Sequence, residues 1–412
     1  MIPSYYRKIV SGQNNYLGMV TSHKMSENEM DYRGSKSEFL NPQPIEITVK
    51  EQRVDGSCFI NKNLMKLRCT LMGCENSYQF KILSKHCNKV PFSTLDSKTK
   101  LNPWFITGYT DAEGCFSILI QPNTNYKTNW RVKAIFTILL HIKDIVLLEN
   151  IKNTLGVGKI RIRNSINKVE YVVESFKELQ TILDHFYNYP LVSCKHSDYL
   201  IFKQCYEIIK QDKHLTEKGL LQIVALKSSL NWGLSDKLTK AFPKVIPVNR
   251  PEFKFKGIPD PFWISGFTSG DGSFNLKIGE NATTSIGVRI RLRFAIGLHI
   301  RELDVIKGIA AYFNLLQPRI SNSIEGNYPK ENKYKHITIL QDVVQLQITT
   351  FSDVINIIIP FFEKYPVLGQ KALDFLDFKT VSRLMINRKH LTVEGFQQII
   401  KIKEGMNMRR KW

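Results

Sequence analysis

The chain has 412 residues, 43% of them hydrophobic and 11% aromatic, which excludes wholesale disorder and allows two domains with an appendage. Its 58 Lys and Arg outnumber 37 Asp and Glu to leave a formal charge of +21, so the expected partner is a polyanion, nucleic acid ahead of anionic lipid. No apolar run approaches the roughly 18 to 20 residues that cross a bilayer, and no membrane partner is expected.

The opening MIPSYYRKIVSGQNN has neither a signal-peptide core nor an Arg-rich amphipathic presequence. Residues 1–100 are rich in Ser, Asn and Lys without sustained periodicity and read as an N-terminal extension, with one short alternating stretch, IEITV (45–49), as a candidate strand. The seven cysteines (Cys58, Cys69, Cys74, Cys87, Cys115, Cys194, Cys205) lack the close pairs of a disulfide framework and fit a reducing compartment. Cys69, Cys74, His86 and Cys87 lack the two-residue spacing with which a tight turn grips zinc.

From Leu101 onward the text repeats itself. NPWFITGYTDAEGCF (102–116) aligns without gaps on DPFWISGFTSGDGSF (260–274), an offset of 158. YPLVSCK (189–195) then answers YPVLGQK (365–371), and KHLTEKG (213–219) answers KHLTVEG (389–395), both at an offset of 176, so the second copy carries 18 extra residues between these anchors. The proline-rich, basic stretch between the copies reads as a linker. The predicted layout is an extension at 1–100, a first repeat at 101–233, a linker at 234–257 and a second repeat at 258–412.

Each repeat opens on a helix signalled by a capping residue, Asn102 or Asp260, and by proline at the first helical position, Pro103 or Pro261. Gly114 and Gly272 suit C-terminal caps, and the alternating residues after them read as strands. Alternation also predicts strands over 131–142, 158–164 and 288–300, while three-to-four spacing predicts helices over 144–156 and 302–314. Each copy is therefore an α+β unit with helices over an antiparallel sheet, and two such copies should pack about a pseudo-twofold axis within a monomer.

In the opening helices Gly108 and Ala112, like Gly266 and Gly270, lie four apart on one face, which lets two backbones approach. Helices crossing there would bring Glu113 and Asp271, each five residues after its glycine, together at the axis. Two facing carboxylates repel, and a hard divalent cation, Mg²⁺ or another such as Mn²⁺, relieves that while binding phosphate oxygens and water. Phosphodiester hydrolysis is the chemistry this predicts. Asp111 and its counterpart Ser269 read as local hydrogen-bonding residues near the helix ends.

ITGYTDAEG (106–114) and ISGFTSGDG (264–272) resemble the paired signature of LAGLIDADG homing endonucleases of the two-motif, single-chain kind, and the resemblance runs over roughly 101–412. It implies two sheet saddles joined by a linker, with the last acid of each motif, Glu113 and Asp271, binding the catalytic metals. It also implies an active-site lysine in each half, Lys195 and Lys371, five residues after Pro190 and Pro366, to stabilise the phosphate transition state or help activate water. The sequence departs from the pattern at Leu140 and Leu298, which precede His141 and His299 where some relatives carry a water-positioning glutamine.

For DNA reading, alternation sets Arg289, Arg291 and Arg293 on one face of their strand against Val288, Ile290, Leu292 and Phe294 on the other. Asn275 and Lys277 extend that surface, and the first repeat offers Arg131, Lys133, Lys159, Arg161 and Arg163. Such sheets suit the major groove of a pseudo-palindromic site over about two helical turns. The resemblance implies a site-specific double-strand endonuclease that promotes intron mobility, in the mitochondrion and even organelle-encoded. The alternatives are an RNA maturase that binds group I intron RNA to assist splicing, or a catalytically silent DNA-binding protein of the same fold. An intein is disfavoured because MRRKW lacks the terminal His-Asn of protein splicing.

Overall fold

The computed structural model describes residues 100–318, 334–407 and 410. The candidate strand at 45–49, the Cys69, Cys74, His86 and Cys87 group and nearly all of the extension lie outside the described residues. The first repeat runs α1 (Pro103–Glu113), β1 (Gly114–Pro122), β2 (Trp130–His141), α2 (Ile145–Leu155), β3 (Lys159–Arg163), β4 (Lys168–Val173), α3 (Phe176–Asn188), α4 (Lys195–Lys210) and α5 (Glu217–Ser228). After α6 (Asp236–Ala241), the second runs α7 (Pro261–Asp271), β5 (Gly272–Glu280), β6 (Val288–His299), α8 (Leu303–Tyr312), β7 (Ile337–Leu340), β8 (Val343–Ile348), α9 (Phe351–Asp353), α10 (Ile359–Lys364), α11 (Gln370–Ile386) and α12 (Val393–Glu404). The α+β expectation holds: the strands form two antiparallel four-stranded sheets of matching order, β1-β2-β4-β3 and β5-β6-β8-β7.

Local chemistry explains the helix starts. Asn102 and Asp260 each accept a hydrogen bond, 2.8 Å long, from the backbone N–H two residues on, Trp104 and Phe262, and proline occupies the next position, where no donor is lost. The helix ends differ from expectation. Gly114 and Gly272 have extended rather than left-handed backbones, φ −75° and −76°, so neither is a left-handed cap. A Cβ at either would instead strike Thr110 or Thr268, because the chain turns straight from helix into strand.

The core of each half is built on the same aromatic plan. Phe116 packs on Phe136, Phe186, Tyr199 and Phe202, and Phe274 packs on Phe294, Phe362, Phe375 and Phe378, with ring centroids 5.1 to 5.8 Å apart. The duplicated KHLT segments are structural: each makes a 3-10 turn (Lys213–Leu215, Lys389–Leu391) whose next residue, Thr216 or Thr392, caps the following helix through Gly219 or Gly395 at 3.1 Å.

The net 18 extra residues of the second copy arise at three places. Ser175 and Thr350, the caps before α3 and α9, are 175 apart, whereas Tyr189 and Tyr365 at the far ends are 176 apart. The one-residue difference falls where a π turn, Val354–Ile358, joins α9 to α10. The other 17 are the net of 19 residues gained between α8 and β7, a connection that includes residues 319–333, and two lost from the turn between β7 and β8: Ile337 answers Ile160 at 177, whereas their partners Leu346 and Tyr171 are 175 apart.

The segment expected as a linker is more ordered than its composition suggests. Ser235 caps α6, whose Leu238 is buried in the first core, and the Phe242 ring packs at a tilt against Trp130 with centroids 5.1 Å apart. Ser197 of α4 donates to the Pro251 carbonyl at 2.7 Å, while Phe255 covers Gly308 of α8. Among the described residues no helix is long and apolar enough to cross a membrane.

Candidate active site and nucleic-acid interface

Helices α1 and α7 cross with almost no side chain between them. A Cβ on Gly108 would collide with the Trp263 carbonyl, and one on Gly266 with the Phe105 carbonyl, so glycine is the residue that permits the crossing. Ala112 and Gly270 face one another one turn later, and Glu113 Oε1 lies 3.5 Å from where a Gly270 Cβ would stand, beside Asp271. The four small residues and the two acids thus meet at the axis.

Electrostatics report the same convergence. Burial pushes the Asp271 carboxyl up from the ordinary carboxylate value, with Lys195 and then Lys371 pulling it back and Glu302 and Asp111 adding to the rise. The phenol of Tyr109, one turn before Glu113, is pushed far up by burial and then by Glu113, Asp144 and Asp271. Lys195 donates from Nζ to the carbonyls of Thr110, Ala112 and Gly114 at 3.0, 3.2 and 2.6 Å, the negative pole of α1. Both predicted lysines therefore sit near the paired acids.

Asp111 does more than bind locally. Its carboxylate accepts from Val192 N at 2.9 Å, Ser193 N at 3.2 Å, Ser193 Oγ at 2.5 Å and Trp263 Nε1 at 2.8 Å, tying α1 to the loop before α4 and to the other repeat. Ser269 has the smaller task of accepting from Leu368 N at 3.0 Å while donating to the Ser265 carbonyl. The sequence could not reveal this difference, because Asp111 reaches its partners across 81 and 152 residues.

The sheet faces turned away from the core carry the predicted cations. Register pairs Asn275 with Arg293, Lys277 with Arg291 and Gly279 with Arg289, so these share one face, while Ile290, Leu292 and Phe294 are buried behind it. Gln345 and Gln347 of β8 belong to the same face but come from a strand that sequence reasoning did not delimit. Arg293 Nε is buried and has no hydrogen-bond partner, and burial lowers the guanidinium pKa. In the first sheet Arg131, Lys133, Lys159, Arg161 and Arg163 share a face, again by register. There Arg161 pairs with Glu174, Arg163 bonds both oxygens of Glu170 at 3.0 Å, and Lys133 lies 4.0 Å from Glu174.

Residues 106–206 and 264–382 match the family model for LAGLIDADG endonucleases, once for each crossing helix and its sheet. The chain belongs to the LAGLIDADG endonuclease family. A probable intron-encoded endonuclease 3 of Neurospora crassa is 40% identical over 414 residues, covering 97% of this chain and 74% of that protein. A 50.9 kDa protein in ND4 intron 1 of Podospora anserina is 40% identical over 189 residues, 41% of each chain. The LAGLIDADG meganuclease I-CpaMI, solved on uncleaved DNA, is 45% identical with a TM-score of 0.68, over 75% of this chain and all of that one. The homing endonuclease I-SmaMI, solved on cleaved DNA, is 37% identical with a TM-score of 0.68, over 76% and 99%. I-SmaMI has also been solved on uncleaved target in the presence of calcium ions.

The LAGLIDADG helices of this chain offer oxygen donors suited to a hard cation: the Glu113 and Asp271 carboxylates, with no sulfur or imidazole among them. Among the described residues no three His, Cys, Asp or Glu side chains gather into a cluster that could hold a metal ion by itself. His141 and His299 cap 3-10 turns, accepting on Nδ1 from Lys143 N at 3.3 Å and Arg301 N at 3.2 Å.

Proposed function

We propose that this LAGLIDADG endonuclease cuts both strands of a long pseudo-palindromic DNA site, using Mg²⁺ or another divalent cation held by Glu113 and Asp271, and so promotes movement of its intron. The observation that carries this reading is the meeting of one acid from each repeat at a crossing made of glycine. When bound, the cation supplies Lewis acidity at the phosphate and lowers the pKa of attacking water. Lys195 and Lys371 add positive charge beside the scissile phosphates, where negative charge builds in the transition state.

The two sheet faces read the DNA, with Lys277, Arg289, Arg291 and Arg293 on one half-site and Arg131, Lys133, Lys159, Arg161 and Arg163 on the other. The unpartnered, buried Arg293 Nε supports this, because such a donor gains most from an acceptor arriving on DNA. The likeness to an ND4 intron protein supports action in the mitochondrion.

The test is to incubate the full chain and Mg²⁺ with a genomic or randomised DNA library and sequence the ends produced. A single long motif with cuts in both strands is expected. Bound but uncut DNA at that motif would replace this reading with a silent DNA-binding protein.

A further inference from the structure

After β2 and after β6 the chain makes a short 3-10 turn, Ile142–Asp144 and Ile300–Glu302, and the acid at the end of each turn reaches into the opposite repeat. Both Glu302 oxygens accept from Cys194 N, at 3.2 and 3.1 Å, at the N-cap of α4. Asp144 Oδ1 accepts from Gln370 N at 2.7 Å, the first residue of α11, and Gln370 Nε2 donates to the Lys143 carbonyl at 3.3 Å. The helices held this way are those that begin with the site lysines: Lys195 is the first residue of α4 and Lys371 the second of α11.

A lysine in the first turn of a helix stands against the positive end of the helix dipole, and an acid at that end offsets the repulsion. Hydrogen bonds from backbone N–H to a carboxylate are the stronger, charge-assisted kind. Glu302 is buried, and Gly369, just before α11, has φ +67° and no room for a Cβ because Asp144 Oδ1 occupies it. The arrangement is reciprocal, since Asp144 and Glu302 are 158 residues apart, the offset of the repeat.

We propose that Glu302 and Asp144 are positioning residues for the lysines of the opposite repeat, Glu302 for Lys195 and Asp144 for Lys371, so that each half's chemistry depends on an acid from the other. Through Lys195 the influence of Glu302 continues to the carbonyls on either side of Glu113. The inference rests on the assignment of the two lysines to the cleavage reaction, and its test separates the two claims.

The experiment uses the full-length protein, Mg²⁺ and a duplex carrying the identified site with each strand end-labelled separately. Lys195→Ala, Lys371→Ala, Glu302→Gln and Asp144→Asn are compared alone and as four acid–lysine doubles, with gel-shift affinity and Tm alongside. Glu302→Gln should slow, by about tenfold, the same strand that Lys195→Ala slows, and Asp144→Asn the strand that Lys371→Ala slows, with DNA affinity kept. Losses should fail to add for Glu302 with Lys195 and Asp144 with Lys371, and should add for the crossed pairs. Slow lysine variants beside full-speed Glu302→Gln and Asp144→Asn would overturn the positioning role alone. Equal slowing of both strands by the acid variants, in step with lost Tm, would also overturn it, since a merely structural part has no strand preference. Full-speed cutting by both lysine variants would overturn the lysine assignment and this inference with it.

Discussion

The crossing of α1 and α7 and the two sheet faces obey opposite rules. At the crossing the repeats share a framework, although Asp111 answers Ser269 and Ala112 answers Gly270: glycine against carbonyl on both sides, an acid ending each helix, an acid reaching back to each lysine-bearing helix. On the sheets they diverge. Among the described residues Lys277, Arg289, Arg291 and Arg293 have no acid paired to them, whereas Arg161, Arg163 and Lys133 are engaged with Glu170 and Glu174. The two strands of a duplex pose the same chemical problem twice, so the chemistry is duplicated; their base sequences differ, so the reading surfaces are free to differ.

The largest test of the shared part is removal of its charge. Glu113→Gln and Asp271→Asn should each reduce double-strand cleavage in Mg²⁺ by at least about a hundredfold while leaving most DNA affinity, because volume is preserved and only the charge proposed to hold the cation is lost. Nicked and linear plasmid products, read beside a gel shift, decide it; near-normal linear product from either variant removes that residue from the site. Next in size, Gly108→Val and Gly266→Val should each cost about 3 kcal/mol or more in urea unfolding, since each drives a side chain into an opposing carbonyl. A loss confined to one of them would break the equivalence of the crossing.

The divergent part is probed by arginine. Arg291→Ala should cost about 1 to 3 kcal/mol of binding, concentrated at a few bases of one half-site. Arg161→Ala should cost less, because a DNA contact there must first displace Glu174. Equal losses in a base-by-base binding profile would mean that the ion pairs of the first sheet do not matter to recognition.

The smallest effect separates the two central acids by burial: Asp271 is buried and Glu113 is half-exposed. Burial raises the Asp271 pKa above its unfolded value, so the folded chain holds that proton more tightly. The resulting stability is present below the ordinary carboxylate range and lost as pH rises through the raised pKa, which leaves a costly buried charge at pH 7. Asp271→Asn should therefore stabilise the cation-free, DNA-free protein at pH 7 by on the order of 1 kcal/mol, and by more than Glu113→Gln does. Thermal melts of both variants at pH 4 and pH 7 test this; a gain at pH 4 equal to that at pH 7 would refute it.

Much of this was legible in the sequence because duplication makes short-range signals visible twice. The caps at Asn102 and Asp260, the small-residue faces and the alternation of VRIRLRF each depend on spacings of a few residues. What escaped depends on distance along the chain. Asp144 and Glu302 look like ordinary acids at helix starts, yet their partners lie 226 and 108 residues away. Arg161 and Arg163 look as free as Arg291, since nothing local says that Glu170 and Glu174 will stand across the sheet. The offset of 176 gave the net length gained by the second copy but not its division, because neither a single π turn nor a strand turn shorter by two residues leaves a mark on a hydrophobic pattern.

The glycine crossing also sets a length. With backbone resting on backbone at Gly108 and Gly266 and a single methyl, that of Ala112, against Gly270, almost no rotamer freedom tunes the distance between the ends of α1 and α7. The stagger between the two nicks is then a constant of the scaffold, like the gap of a fixed-jaw gauge, and substitutions that retarget the sheets to new bases should leave the overhang length untouched.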